Sequence, residues 1–123
     1  MARMQKKSLD SADETKAFHK GYHSIRKIGD TTIGVFYLEP EWSWESCIKP
    51  IVKTESCQAA HTQYVLSGRI RFKMEDGKEE EFGPGDLVYI PPGPPGHNAW
   101  VVGSEPFKAM EFGTLDVFHS MSW

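Results

Sequence analysis

No run of basic residues in this chain exceeds the pair Lys6 and Lys7, and no stretch approaches the ~18 consecutive apolar residues that a membrane-spanning helix needs. The first absence removes the electrostatic footprint of a nucleic-acid binder, since 17 acidic residues outnumber 14 basic ones and the formal charge is -3. The second speaks against a membrane protein. The N-terminus, MARMQKKSLDSADETK, begins basic and turns polar and acidic without the apolar segment of a secretory leader, so a cytoplasmic location is expected. Cysteine is equally sparse. Cys47 and Cys57 lie ten positions apart, a spacing that fits neither a zinc ribbon nor a redox dithiol, and a reducing compartment disfavours a disulfide between them. A G-x-S-x-G elbow and a phosphate-cradling P-loop are also missing, and Ser67, though beside a glycine, has no placed base. Between Gly21 and Phe118 no segment sustains the 3.6-residue period of an amphipathic helix.

What the chain does have is turns. Eleven Gly and 8 Pro in 123 residues punctuate short runs in which apolar and polar residues alternate, the pattern of an all-β fold with a single core. Residues 1–20 read as an N-terminal arm in which Ser11 caps a short helix, with Glu14 three residues on as in a capping box. Residues 21–118 read as one barrel domain. Thr32 to Leu38 alternates cleanly, whereas Glu39 to Lys53 is irregular; if it is extended, Trp42 and Trp44 share a face and serve as wall or lid packing. Arg69 to Met74 places Ile70, Phe72 and Met74 on one face and Arg69, Arg71 and Lys73 on the other. Asp76-Gly77 is a hairpin signal, Glu79 to Phe82 the return strand, and Gly83-Pro84-Gly85-Asp86 a turn into Leu87 to Ile90. Asn98 to Val102 and Phe107 to Phe112 supply the closing strands.

The most informative stretch is Gly83 to Asn98, GPGDLVYIPPGPPGHN, in which a turn, a strand and a proline-glycine corner deliver His97. A second histidine, His61, opens the element HTQYVLSGRIRF. If Glu55 to Gln63 is extended, period-2 alternation puts Glu55, Cys57, His61 and Gln63 on one face, with His97 arriving opposite from another strand. Such a mixed S/N/O set suits zinc, iron or nickel better than magnesium or calcium. Each residue also has a plainer reading: Cys57 as a small buried hydrophobe, Glu55 as a solvated carboxylate, and the two histidines as neutral groups hydrogen-bonded in a polar pocket. His19 and His23 stand four apart, but Gly21 between them argues against a helical metal face, and both read as surface residues. His119 falls in a C-terminal tail with no catalytic reading.

These two elements resemble the paired motifs of the cupin superfamily, G(X)5HXH(X)3-4E(X)6G and G(X)5PXG(X)2H(X)3N. Aligned on Gly68, the family's glutamate falls on His61, its second histidine on Cys57 and its first histidine on Glu55. In the second motif Gly85, Pro91 and Gly93 match, His97 arrives one residue late, and the asparagine position is unmatched. The resemblance implies a double-stranded β-helix, or jelly-roll, barrel with its metal positions filled by a permuted set, Glu55, Cys57, His61 and His97. The three-histidine-plus-glutamate manganese set of oxalate-processing cupins and the three-histidine iron set of thiol dioxygenases are both absent. The implied function is a metal-binding cupin that binds or acts on a small, anionic or carbonyl-bearing metabolite in the barrel lumen, with Gln63 touching it, by isomerisation, a lyase step or oxygenation. The alternative is a sensor or storage barrel that binds without turnover. A homodimer is expected, because cupins frequently pair and the arm offers a means of exchanging or covering a sheet edge.

Overall fold

Period-2 alternation is realised as nine strands in a computed structural model that describes residues 3–113. They are β1 (Glu14–Phe18), β2 (Gly21–Ile28), β3 (Thr31–Leu38), β4 (His61–Ser67), β5 (Arg69–Met74), β6 (Glu79–Phe82), β7 (Leu87–Ile90), β8 (His97–Val102) and β9 (Phe107–Gly113). Two single-turn helices, α1 (Trp44–Cys47) and α2 (Lys49–Val52), lie between β3 and β4. The expected end of the barrel at Phe118, and His119, lie outside the described residues.

The strands form a six-stranded sheet in the order β1-β2-β3-β9-β4-β7 and a three-stranded sheet in the order β6-β5-β8, both antiparallel. Their facing sides share one core that includes Phe36, Leu38, Val65, Ile70, Phe72, Val101 and Phe107. On the outer side of the smaller sheet Arg69 and Arg71 pair with Glu81 and Glu79 at 2.7 and 2.6 Å, so that face is wet as its alternation requires.

Asp76-Gly77 turns a true hairpin between β5 and β6. Gly68 does something different. It joins β4 to β5, which belong to different sheets, so it marks a corner rather than a hairpin turn. Its φ is +75°, and a Cβ there would run into the Pro106 carbonyl and Phe107 Cα, both backbone. Gly68→Ala combines left-handed strain with a clash that no side-chain rotation relieves, and it is expected to cost roughly 2 kcal/mol or more in urea unfolding. A loss under about 0.5 kcal/mol would show that the corner yields.

Two expectations need correction. The arm is not helical: Glu14–Phe18 is a strand, laddered to β2 from Glu14↔Ile25 to Phe18↔Gly21. A capping box can nucleate only a marginal helix in so few residues, whereas pairing with β2 gives the inward-facing peptide groups of the segment ladder partners. The arm thereby covers the β2 edge of its own chain, held further by Lys7 on Asp13 at 2.7 Å and by Arg26 on the Leu9 carbonyl. The irregular segment is likewise not extended, because Ser43 caps α1 by accepting the Ser46 N–H at 3.0 Å. Trp42 and Trp44 are both buried, and the Val101 N–H donates to the Trp42 carbonyl, which fastens this segment across the end of the barrel against β8.

Candidate metal centre

Cross-strand register decides which side chains meet inside. On the inner face of the larger sheet, Ile25, Gly34, Glu111, Gln63 and Val88 fall in one row, and His23, Phe36, Ala109 and Val65 in the next. His61 lies one inward position before Gln63 on β4. From the smaller sheet His97 opens β8 opposite Met74. Cys57 is brought to it by an isolated bridge: the Cys57 N–H donates to the His97 carbonyl at 2.8 Å, and the His97 N–H returns to the Cys57 carbonyl at 2.9 Å.

The proline-glycine corner holds that bridge in place. Glu75 accepts from Ser56 Oγ at 2.6 Å and from the Gly96 N–H at 3.0 Å, Gln58 Nε2 donates to Ser56 Oγ, and the Gly93 N–H donates to the Gln58 carbonyl. A Cβ at Gly93 or Gly96 would occupy the place of the Gln58 side chain. The glycines of this corner therefore serve close packing beside the two donors.

The donor atoms of Cys57, His61 and His97 all lie within 4.8 Å of one another, and all three residues are buried. One expected member stays outside. Glu55 is 94% exposed and pairs with Lys49 at 3.6 Å. The chain leaves α2 through a left-handed Lys53 (φ 58°), bends at residues 55–56 and becomes a strand only at His61, so alternation cannot be counted back through it. Cys57 belongs to the cluster through its bridge with His97, not through the register proposed with His61.

Two inner residues go unannounced by the motifs. Glu111, 1% exposed, accepts from His61 Nδ1 and from Gln63 Nε2, each at 2.7 Å. Its signal in the sequence is a carboxylate at the inward position of FKAMEF, in step with Phe107 and Ala109. His23, read as a surface residue, is buried on β2 with its ring centroid 4.3 Å from that of Phe36; His19 is exposed as expected. Alternation with Ile25 was the available sign.

The electrostatics follow from depth. Burial alone would push the His61 pKa down, but the Glu111 charge and hydrogen bonds to Cys57 and Glu111 outweigh it and raise the pKa to about 10. Burial lowers His23 to about 4 despite the Glu111 charge, and burial together with the His61 charge lowers His97 to about 3. Cys47 and Cys57 are both free thiols.

This donor set fits a transition metal. It offers one sulfur and two imidazoles, borderline-soft donors of the kind zinc, iron and nickel take. With Nδ1 held by Glu111, His61 has Nε2 left for an ion, the carboxylate–histidine arrangement that orients metal-binding imidazoles. Beside the donors is a cavity of about 20 Å³, walled by Phe36, Trp42, Trp44, Gln63 and Phe72. Gln63 Oε1, His97 Nδ1, Trp42 Nε1 and Trp44 Nε1 have no hydrogen-bond partner among the described residues. Polar atoms gathered in an otherwise apolar pocket suit an ion with one small oxygen ligand.

Family comparison agrees with this fold. The cupin-domain profile matches residues 55–118, slightly over half of the chain. The chain belongs to the cupin family. A cupin 2 conserved barrel domain protein from Salinispora arenicola superposes with a TM-score of 0.62 at 16% identity, covering 98% of each chain. A structural-genomics protein from Rhizobium leguminosarum also gives 0.62, at 22% identity over 92% of this cupin and 99% of that chain. Oxalate decarboxylase from Bacillus subtilis gives 0.54 at 21% identity, over 81% of this cupin but 27% of the larger enzyme. At these identities the likeness establishes the fold. No curated protein matches the sequence. No helix among the described residues is long and apolar enough to cross a membrane.

Proposed function

We propose that this cupin holds a divalent transition metal, zinc, iron or nickel before manganese, on Cys57, His61 and His97, and presents it to an oxygen atom of a small metabolite. The observation that carries the reading is the convergence of the three buried donors within 4.8 Å, with Glu111 hydrogen-bonded behind His61. When bound, the ion supplies Lewis acidity toward a carbonyl, carboxylate or hydroxyl oxygen, chemistry that serves an isomerisation, a lyase step or, with a redox-active ion, an oxygenation. The protein's own groups set the rest. Gln63 lines the cavity, and with Nε2 committed to Glu111 its unpaired Oε1 is the atom left to accept from a ligand hydroxyl. Glu111 holds a proton on His61 Nδ1 and thereby keeps Nε2 turned toward the donors. Trp42, Trp44 and Phe72 exclude water.

The small cavity also favours a second reading, a barrel that binds and senses its ligand without turning it over. Elemental analysis of purified protein tests the metal first. Wild type is expected to carry near-stoichiometric metal that is lost in Cys57→Ala, His61→Ala and His97→Ala and retained in Glu55→Ala. Wild type that stays metal-free after divalent ions are offered would sink the metal reading and leave the binding barrel as the better account. Turnover of a candidate metabolite, against ligand-dependent stabilisation with no product, then separates enzyme from sensor.

A further inference from the structure

The space beside the three donors admits about one water-sized group, so the body of any metabolite must sit elsewhere. Phe72 also lines a larger space. Strand β6 is an edge of the smaller sheet and β7 an edge of the larger one, and next to them lies a groove of about 570 Å³. That is a small-molecule volume, in the range of roughly 300–1,000 Å³. Phe72, Met74, Phe82 and Ile90 contribute apolar surface, whereas the charged residues Asp76, Lys78 and Glu80 are all exposed.

Phe72 borders both spaces. Its ring stands edge-on to Phe82 at 5.9 Å and to His97 at 5.5 Å, with His61 at 6.3 Å. One side chain therefore links the groove lining to two of the three donors. It is partitioned apolar surface that a ligand reaching toward the donors from this side would meet first.

We propose that the groove beside β6 and β7 binds the apolar part of an amphiphilic ligand, an aryl or medium-chain alkyl group, whose oxygen-bearing head passes Phe72 to the Cys57–His61–His97 centre. The fate of the head rests on the metal reading above; the groove's selectivity does not. The apolar surface of Phe72, Met74, Phe82, Ile90 and Pro91 suits a hydrocarbon, while Asp76, Lys78, Glu80 and Tyr89 stand exposed and can stay solvated around it. The 20 Å³ beside the donors suits the head alone. Phe72 acts as a positioning residue that admits the head and keeps the chain out.

Titration calorimetry with ethanol, 1-butanol and 1-octanol, whose hydroxyl is a head of the size that space admits, on zinc-loaded and metal-free protein, tests this directly. Affinity is expected to rise by up to about fourfold per added methylene. Met74→Trp, which puts bulk into the groove, should abolish that dependence, with the zinc content of the variant reporting an intact cluster. In wild-type protein the methyl signals of Met74 and Ile90 should shift with 1-octanol even without metal, a readout that needs no variant to fold. Phe72→Leu should speed removal of zinc by a chelator. If zinc is not held but 1-octanol still shifts Met74 and Ile90, the metal reading fails and the groove stands. Chain-length-independent affinity, or 1-octanol that leaves both methyls unmoved, overturns the groove. So would shifts at these methyls that follow protein concentration alone, which assign the groove to a second copy, or 1-octanol binding only after removal of residues 114–123.

Discussion

Glu111→Ala is expected to destabilise the metal-free protein by about 3–5 kcal/mol, the range for removing one partner of a buried ion pair. The carboxylate is 1% exposed and is the hydrogen-bond acceptor for both His61 Nδ1 and Gln63 Nε2 at 2.7 Å. Against the burial that lowers it, Glu111 and Cys57 together raise the His61 pKa to about 10, which favours the imidazolium in the folded protein. Alanine leaves a buried cation that must shed its proton and a buried amide with no acceptor on that side, and both penalties fall on the folded state alone. Glu111→Gln retains an acceptor without the charge and should lose less. Glu111→Ala should also weaken zinc binding by about 10–100-fold, because His61 is no longer held in one tautomer and orientation. Urea unfolding and zinc competition titration read the two effects separately. Glu111→Ala unfolding within about 0.5 kcal/mol of wild type would show that the carboxylate is not part of a charged pair.

The metal-free protein is expected to be most stable near pH 6.5 and to lose stability on both sides for different histidines. On the acid side the unfolded chain takes up protons that His23 and His97 refuse until pH falls to about 4 and about 3. Between there and pH 6.5 the unfolded state binds more protons, so stability rises with pH, with a limiting slope of about 1.4 kcal/mol per pH unit for each histidine. On the alkaline side His61 has the opposite sign. Its folded pKa is raised, so its contribution is complete below the unfolded value near 6.5 and drains away as pH climbs through about 10. His97→Phe should remove part of the acid limb, and Glu111→Gln should flatten the alkaline one. Metal binding requires a neutral His61 and a Cys57 thiolate, so loading should release protons and suppress the alkaline loss. A stability profile flat from pH 5 to 9 would refute the assignment of all three groups.

How far the residues alone carry the reading differs between backbone and site. Asp76-Gly77, Gly68 and the corner at 91–96 announce themselves, because glycine and proline restrict φ locally whatever the chain does elsewhere. Alternation in Arg69 to Met74 identified the wet and dry faces for the same reason, since a strand turns successive side chains to opposite sides without help from its partners. The arm misled because a capping box and a strand edge compete, and only the presence of β2 decides between them.

His61, His97 and Cys57 were legible as chemistry, but their meeting was not. Cys57 faces His97 through a bridge across 40 positions, and Glu111 reaches His61 and Gln63 across 50 and 48. Glu55, counted onto the same face by alternation, is turned out to Lys49 because the chain there is not a strand. The sequence by itself determined the all-β class, the turns and the wet and dry faces of Arg69 to Met74, all of which are local consequences of side-chain period and dihedral preference. Which strands pair, and in what register, is a property of the closed core. That register put a carboxylate behind His61, and the bend before β4 left Glu55 in water.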